Sequence, residues 1–363
     1  MSKSYIISTL RKYYRKIFPL KIRNLVWQHI IKYFLGGRIF YFPDYPKNIK
    51  NTLKKQIYLK TNFLKDYRYN YYAGDEKIVT TIKTGQIIVV RRDDNSTAPY
   101  LILKGDWEPY ITYYSERFVE IYRSPTIFDV GAHFGWYGLT LSRLSDESLI
   151  HYFEANNSLI DCIKRTTIIN GLEHRSKINH NAVSDINGEI LKLNILNHLQ
   201  GSSSIEDIKM DLTDQTSTFF GNIKEPNSID VESITIDEYS NKHAIKNIDF
   251  LKIDVEGHEE NVIEGAKRML AESKDITLLI EWNRNRYSDN MLKKFAGFEV
   301  LILIDGKKAI NCKGLHKSCN STDEFENKLN LISNLKYAHF DLIFTSKKML
   351  NLSNIKTKFI PSF

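Results

Sequence analysis

The chain has 363 residues, 42% hydrophobic and 26% charged, which fits an ordinary folded protein and is too long for a small disulfide scaffold. Its three cysteines, Cys162, Cys312 and Cys319, form no disulfide framework and suit a reducing cytosol. The formal net charge of +8 is unevenly spread: residues 1–70 carry 16 basic and two acidic side chains, so that segment is strongly basic and the rest mildly acidic, and composition disfavours a nucleic-acid-binding body.

In chain order, residues 4–34 are expected to form one or two basic amphipathic helices. Ile6, Leu10, Tyr14 and Ile17 recur at helical spacing, Pro19 breaks the run, and Leu25, Trp27, Ile30, Ile31 and Phe34 resume it. Two placements stay open. Residues 1–35 either lie on an anionic membrane surface, with roughly 1 kcal/mol of attraction per well-placed basic residue, or pack on the chain's own body with their lysines in water. Basic residues interrupt the segment throughout, so it does not read as a secretory signal. The apolar stretch from Ile30 to Phe42 is too short to span a membrane. The expected location is cytoplasmic, with peripheral membrane contact as the open alternative.

Residues 41–60, with Pro43 and Pro46 among many Asn and Lys, read as a linker that closes a basic extension over 1–70. A small β/α segment is expected over 71–124. It holds two strands, Lys77–Thr81 and Gln86–Arg91, around the Lys83-Thr84-Gly85 turn, then Gly105-Asp106-Trp107-Glu108-Pro109-Tyr110 and a helix to about Arg123. From residue 125 strand and helix alternate. Strands are expected at Thr126–Val130, Leu149–Glu154, Lys177–Val183, Phe250–Val255, Leu278–Trp282, Glu299–Ile304 and His339–Thr345, with helices at Tyr137–Arg143 and Leu159–Ile169. This pattern predicts an α/β domain over 125–346, a mostly parallel sheet with helices on both faces, and a tail over 347–363. Ligands of such sheets sit beyond the carboxyl ends of the strands.

The strongest local signal is Phe128-Asp129-Val130-Gly131-Ala132-His133-Phe134-Gly135-Trp136-Tyr137-Gly138, an apolar strand, a glycine turn and a helix start. Gly131 permits the sharp turn, and Gly135 lets the helix begin close to a ligand. A dinucleotide fingerprint spaces its glycines differently, and a phosphate-binding loop would need Gly-Lys-Ser or Gly-Lys-Thr. An acid facing the turn suits a ligand that carries an amine beside a carboxylate, as S-adenosylmethionine does. Glu154 ends the next strand, at a distance suited to ribose hydroxyls. Asp129, Gly131, Gly135 and Glu154 are therefore the expected cofactor contacts. The alternative is a helix-capping Asp129 and a solvated Glu154.

Together with Asp249-Phe250-Leu251-Lys252-Ile253-Asp254-Val255-Glu256-Gly257-His258-Glu259, the turn resembles the FkbM family of S-adenosylmethionine-dependent methyltransferases. Ser233–Asp237, Glu264-Gly265-Ala266, Trp107-Glu108 and Ile280-Glu281 match the same pattern, so the resemblance spans about 105–346. His133 departs from it, standing where the family more often has Asn. The resemblance implies a Rossmann-like, seven-stranded class I methyltransferase sheet with a reversed last strand, and O-methylation, commonly of sugars or other secondary-metabolite hydroxyls.

At the second motif, Asp254 is expected at a strand's carboxyl end facing the ligand. His258 is the expected base for the acceptor hydroxyl, with Asp254 orienting the cofactor's methyl end or that hydroxyl. A helix-start hydrogen bond is the alternative for His258. Trp107 and Glu108, near Tyr110, together with Glu281, are the expected substrate-binding residues. Trp107 and Glu108 equally suit covering the cofactor or packing a helix. Asp254, Glu256, His258 and Glu281 have the chemistry of a hard-metal site, but nothing in the spacing demands a metal and none is expected. The polar stretch Gly201-Ser202-Ser203-Ser204 falls between strands, as a substrate lid or a surface loop. The expected partner is a small-molecule or glycan acceptor. Two other readings stay open: a nucleotide- or dinucleotide-dependent sugar-modifying enzyme, and a non-catalytic cofactor-binding module.

Overall fold

The computed structural model describes residues 70–196, 199–206, 227–312, 314–333 and 339–359. The helices and linker expected over 1–69 lie outside the described residues. Described structure begins with β1 (Asn70–Gly74), β2 (Lys77–Thr81) and β3 (Ile87–Arg91), an antiparallel sheet of three strands. Helices α1 (Ala98–Lys104) and α2 (Pro109–Val119) follow. Next come β4 (Thr126–Val130), α3 (Trp136–Ser142), β5 (Leu149–Phe153), α4 (Asn157–Ile169) and β6 (Ser176–Asn179). A second small sheet is made by β7 (Ala182–Val183), β8 (Ile190–Ile195) and β9 (Asn227–Ile234). The chain continues through α5 (Ile236–Lys242), β10 (Phe250–Ile253), α6 (Glu259–Glu264), α7 (Lys267–Glu272) and β11 (Thr277–Asn283). It closes with α8 (Asn290–Lys294), β12 (Val300–Asp305), β13 (Lys308–Asn311), α9 (Leu315–Ser318), α10 (Thr322–Ile332), β14 (His339–Thr345), α11 (Lys347–Leu352) and β15 (Thr357–Phe359).

The main sheet has nine strands in the order β15-β13-β12-β14-β11-β10-β4-β5-β6. The run β6-β5-β4-β10-β11 is parallel, and β14 is antiparallel to both neighbours, β11 and β12. The reversed strand is thus His339–Thr345, as anticipated. The expected count of seven is exceeded because β13 folds back on β12 and β15 adds to β13, supplying partners to an edge that would otherwise present open backbone groups. The sheet therefore runs past residue 346, into the expected tail. The strand anticipated over Lys177–Val183 is two strands in two sheets: β6 pairs with β5, whereas β7 pairs with β9.

Strand alternation divides the core. On one face Leu251, Ile253, Leu278, Ile280 and Trp282 meet Val262, Ile263, Met269, Phe295 and Phe325. On the other, Ile127, Phe250, Leu279, Ile302 and Ile343 meet Leu139 and Phe118. Ile88, Val89 and Leu101 of the small β/α segment belong to this second cluster. Thr166 Oγ1 and Asn170 Oδ1 of α4 and its end accept from Val89 N and Ile87 N, each at 3.0 Å. Residues 70–124 therefore share a core with the sheet and bring α1 and α2 to its carboxyl edge. β10 is buried throughout, as a strand flanked by parallel neighbours should be, yet it carries a lysine, Lys252.

Candidate active site

Beyond the carboxyl ends of β5, β4, β10 and β11 lies a cavity of about 240 Å³. Glu154 follows β5 and Glu281 lies on β11, three strand spacings away. At roughly 4.8 Å per step, about 14 Å separates the two ends of the site.

The β5/β4 end is a cradle. Gly131 has φ 72°, and a Cβ there would fall 1.8 Å from the Asp254 carbonyl oxygen. Only glycine lets the tips of β4 and β10 approach this closely. Gly135, φ 80°, caps α3 without a side-chain hydrogen bond. Glu154 Oε2 accepts from His133 N at 2.6 Å and Oε1 from Asn156 N at 2.8 Å. Burial pushes this carboxyl up to about 6 against those two bonds. His133 lines the same cavity, with a backbone φ of 52° and a buried Nε2 that has no hydrogen-bond partner among the described residues. Burial lowers its imidazole to about 4.

Asp129, expected to face the cofactor, lies beneath the turn instead. It is fully buried, and its Oδ2 accepts from Gly138 N of α3 at 2.9 Å. Lys252 Nζ stands 4.0 Å from its Oδ1. Burial raises the Asp129 carboxyl to about 6 even so. The helix-capping alternative describes its geometry.

At the β10/β11 end the ammonium of Lys252 donates to Gly131 O at 2.9 Å and pairs with Asp254 Oδ2 at 3.1 Å. Burial alone would lower the lysine, but Asp254, Asp129 and Glu108 outweigh it and raise it. Asp254, Glu256 and Glu281 offer carboxylate oxygens within 4.8 Å of one another, a donor set that suits Mg²⁺ or Mn²⁺. Burial and mutual repulsion hold Glu256 and Glu281 well above the usual carboxylate range. Glu259 pins the turn that carries Glu256, accepting from Val255 N at 3.1 Å, Gly257 N at 3.2 Å and Tyr287 Oη at 2.6 Å. Trp107 and Glu108 line the cavity too, with Tyr100 edge-on to Trp107 at 5.5 Å. Gly201, Ser202 and Ser203 line it as well, and Gly201 N donates to Ser96 Oγ at 3.4 Å.

His258, expected as the base, stands outside this lining. It is buried at the start of α6, with Nε2 3.0 Å from Ser184 Oγ and Nδ1 2.8 Å from Glu206 Oε1. Ser204 Oγ donates to Glu256 O at 2.8 Å, so His258 belongs to the contacts that tie residues 204–206 to the 256–258 turn. Both ring nitrogens are engaged there. Sequence reasoning brought Gly131, Gly135, Glu154, Asp254, Trp107, Glu108 and Glu281 to one edge, and the structure gathers all of them around the cavity or its turn. It gave no role to Lys252, whose signal was a charge inside an otherwise apolar strand, or to Tyr137.

Residues 129–319 match the Methyltransferase FkbM domain, over half of the chain. The chain belongs to the FkbM methyltransferase family. No curated protein matches it. Among solved structures, this FkbM-family chain is similar to an rRNA methylase from Streptococcus thermophilus, with 9% identity over 65% of this chain and 96% of that one, TM-score 0.36. An O-methyltransferase from Bacillus cereus in complex with SAH has 11% identity over 66% and 83%, TM-score 0.32. The O-methyltransferase TomG from Streptomyces achromogenes, involved in tomaymycin synthesis and in complex with SAM, has 8% identity over 66% and 81%, TM-score 0.30.

Proposed function

We propose that the chain is an S-adenosylmethionine-dependent O-methyltransferase acting on a hydroxyl, that of a sugar in a glycan or glycolipid. The observation that carries the reading is the cradle: a Gly131 that no larger residue can replace, beside a Glu154 carboxylate held by two backbone N–H groups at the cavity wall. These residues fit the cofactor. The amino-acid end would be held at the Gly131 turn, and the ribose hydroxyls would be held by Glu154. Asp129 acts one layer back, by holding α3 and Lys252. Once bound, S-adenosylmethionine supplies a methyl group on a positively charged sulfur. The chain's task is alignment, which is worth roughly 7–11 kcal/mol of barrier. Asp254, fixed by Lys252 and lining the cavity, would orient the methyl end or the acceptor hydroxyl. Trp107 offers an apolar face and Glu281 a hydrogen-bonding edge for a sugar ring. The basic residues of 1–35 are the proposed contact with an anionic membrane, where glycolipid acceptors are found.

Calorimetry with S-adenosylmethionine and with NAD tests the cofactor, and transfer of labelled methyl to a panel of methyl glycosides tests the acceptor. Binding of the first with no binding of NAD is expected; NAD binding alone sinks the reading.

The carboxyls predict a pH dependence. Glu154 and Asp129 are raised to about 6 and Glu108 to about 7. Between an ordinary carboxyl pKa and these values the folded chain holds more protons than the unfolded one. Their contribution to stability is therefore present at acid pH and falls as pH rises through 6 to 7. A cationic ligand favours the ionised forms. Its binding should release protons near pH 6, and affinity should strengthen with pH by up to about tenfold per unit for each coupled group. Calorimetry at pH 6 in buffers of differing ionisation enthalpy reads this directly. Proton uptake on binding is the contrary result.

A further inference from the structure

His258 is engaged behind the turn, which leaves open the group that receives the acceptor's proton. We propose that this group is Glu108, with Tyr137 as its positioning partner. This deepens the proposed function and rests on it. Three observations carry it.

First, Glu108 lines the same cavity as Lys252 and Asp254, and its Oε2 accepts from Tyr137 Oη at 2.6 Å. Second, it has a left-handed backbone, φ 43° and ψ 58°, at the start of α2. A non-glycine residue in that region costs about 1–3 kcal/mol and persists only where its surroundings enforce it. Here they do: Glu108 O accepts from Thr112 N at 2.9 Å, and Trp107 O accepts from Thr112 Oγ1 at 3.1 Å. Trp136 Nε1 of α3 donates to the same hydroxyl oxygen at 2.8 Å. Strain is thus held at the residue that presents a carboxylate to the cavity. Third, Glu256, which also lines the cavity, is held well above the usual carboxylate range by burial and its acidic neighbours, and two other competing carboxylates are engaged elsewhere. Asp254 pairs with Lys252, and Glu281 accepts from Asn283 Nδ2 at 3.2 Å and faces His339 at 3.4 Å. Among the described residues, the Glu108 carboxylate is hydrogen-bonded to a phenol that burial keeps protonated, which orients it without neutralising it.

The charged groups facing Glu108 are Asp254 and Lys252 from β10 and its end and Asp341 from β14. Burial, then Asp254, lift its carboxyl to about 7, against Tyr137 and Lys252. A base is most effective when its pKa lies near the working pH. In the step, the acceptor oxygen bonds to the methyl carbon and the carbon–sulfur bond breaks, its electron pair staying on sulfur. The hydroxyl proton passes to the Glu108 carboxylate and later to water.

The test uses the full chain. Glu108→Gln keeps the acceptor for Tyr137 and so the fold. It should lower transfer to the methyl glycosides by about 10²–10⁴-fold while S-adenosylmethionine affinity stays within about threefold. Glu108→Asp should recover part of the rate. Tyr137→Phe removes a donor to the carboxylate, so the acid limb of the rate profile should move to higher pH. Independently of activity, ¹³C-carboxyl NMR of the ligand-free chain should show a glutamate titrating near pH 7 that Glu108→Gln abolishes. Unchanged rate and profile in Glu108→Gln, or no such resonance, overturns this assignment and leaves the methyltransferase reading standing. If the unaltered chain binds the cofactor but transfers to no hydroxyl, the O-methyl reading falls and Glu108 with it.

Discussion

Lys252→Met should destabilise the fold by roughly 3–5 kcal/mol, the range for removing one partner of a buried ion pair. The lysine is 5% exposed and stands between Asp129, which is fully buried, and Asp254, whose side chain is 30% exposed. Without it, Asp254 can turn to water, but Asp129 cannot. Its Oδ1 has no hydrogen-bond partner among the described residues even with the lysine in place, so the carboxylate must take up a proton or force the strands apart. The expected drop in melting temperature is about 4–7 °C for a chain of this length. The discriminating variant is the pair Asp129→Asn with Lys252→Met, which removes both charges and keeps an acceptor for Gly138 N. It should recover more than half of the loss. If Lys252→Met melts within about 2 °C of the unaltered chain, Lys252 is no structural counter-ion. If the double variant is additive, the coupling drawn here between β4 and β10 is absent.

That ion pair also shows where sequence reading succeeds and where it stops. The strands of the parallel run were legible because burial on both faces leaves continuous apolar stretches such as Phe250-Leu251 and Ile127-Phe128. The edge was not legible. Asp305-Gly306 between apolar runs is a strong hairpin signal, yet it leads to β13 only once β12 has an open side. Thr357–Phe359 has no apolar signature of its own and becomes a strand through pairing with β13. At the site, glycine spacing located the cradle, because backbone turns are local. Side-chain direction is not local. Asp129 and Asp254 each stand at or near a strand's end, yet Asp254 reaches the cavity and Asp129 is bonded into α3. His258 carried a suitable spacing, but the residues that hold it, Ser184 and Glu206, lie 74 and 52 positions away and could not be matched to it in advance. Glu108 was placed at the acceptor, while its bond to Tyr137 appears only when α2 packs on α3.

The close approach of β4 and β10 can be separated from ordinary glycine flexibility by a matched pair of variants. Gly131→Ala and Gly171→Ala both put a Cβ on a left-handed backbone, φ 72° and 68°. Each should cost about 1–2 kcal/mol for that reason alone. At Gly171, which follows α4, nothing lies within 4 Å of the added carbon, so the effect should stop at a modest fall in melting temperature with cofactor affinity unchanged. At Gly131 the carbon would stand 1.8 Å from Asp254 O and 2.9 Å from Asp254 C. Both are backbone atoms that no rotamer change can move, so the strand tips must part. Parting them disturbs Lys252, which donates to Gly131 O, and Asp254, which Lys252 holds. Gly131→Ala is therefore expected to weaken S-adenosylmethionine binding by 100-fold or more, about 2.7 kcal/mol, beyond any loss shared with Gly171→Ala. Calorimetry beside thermal melts on the two variants measures this. Equal affinities would mean that the cofactor is bound somewhere other than the junction of these two strands.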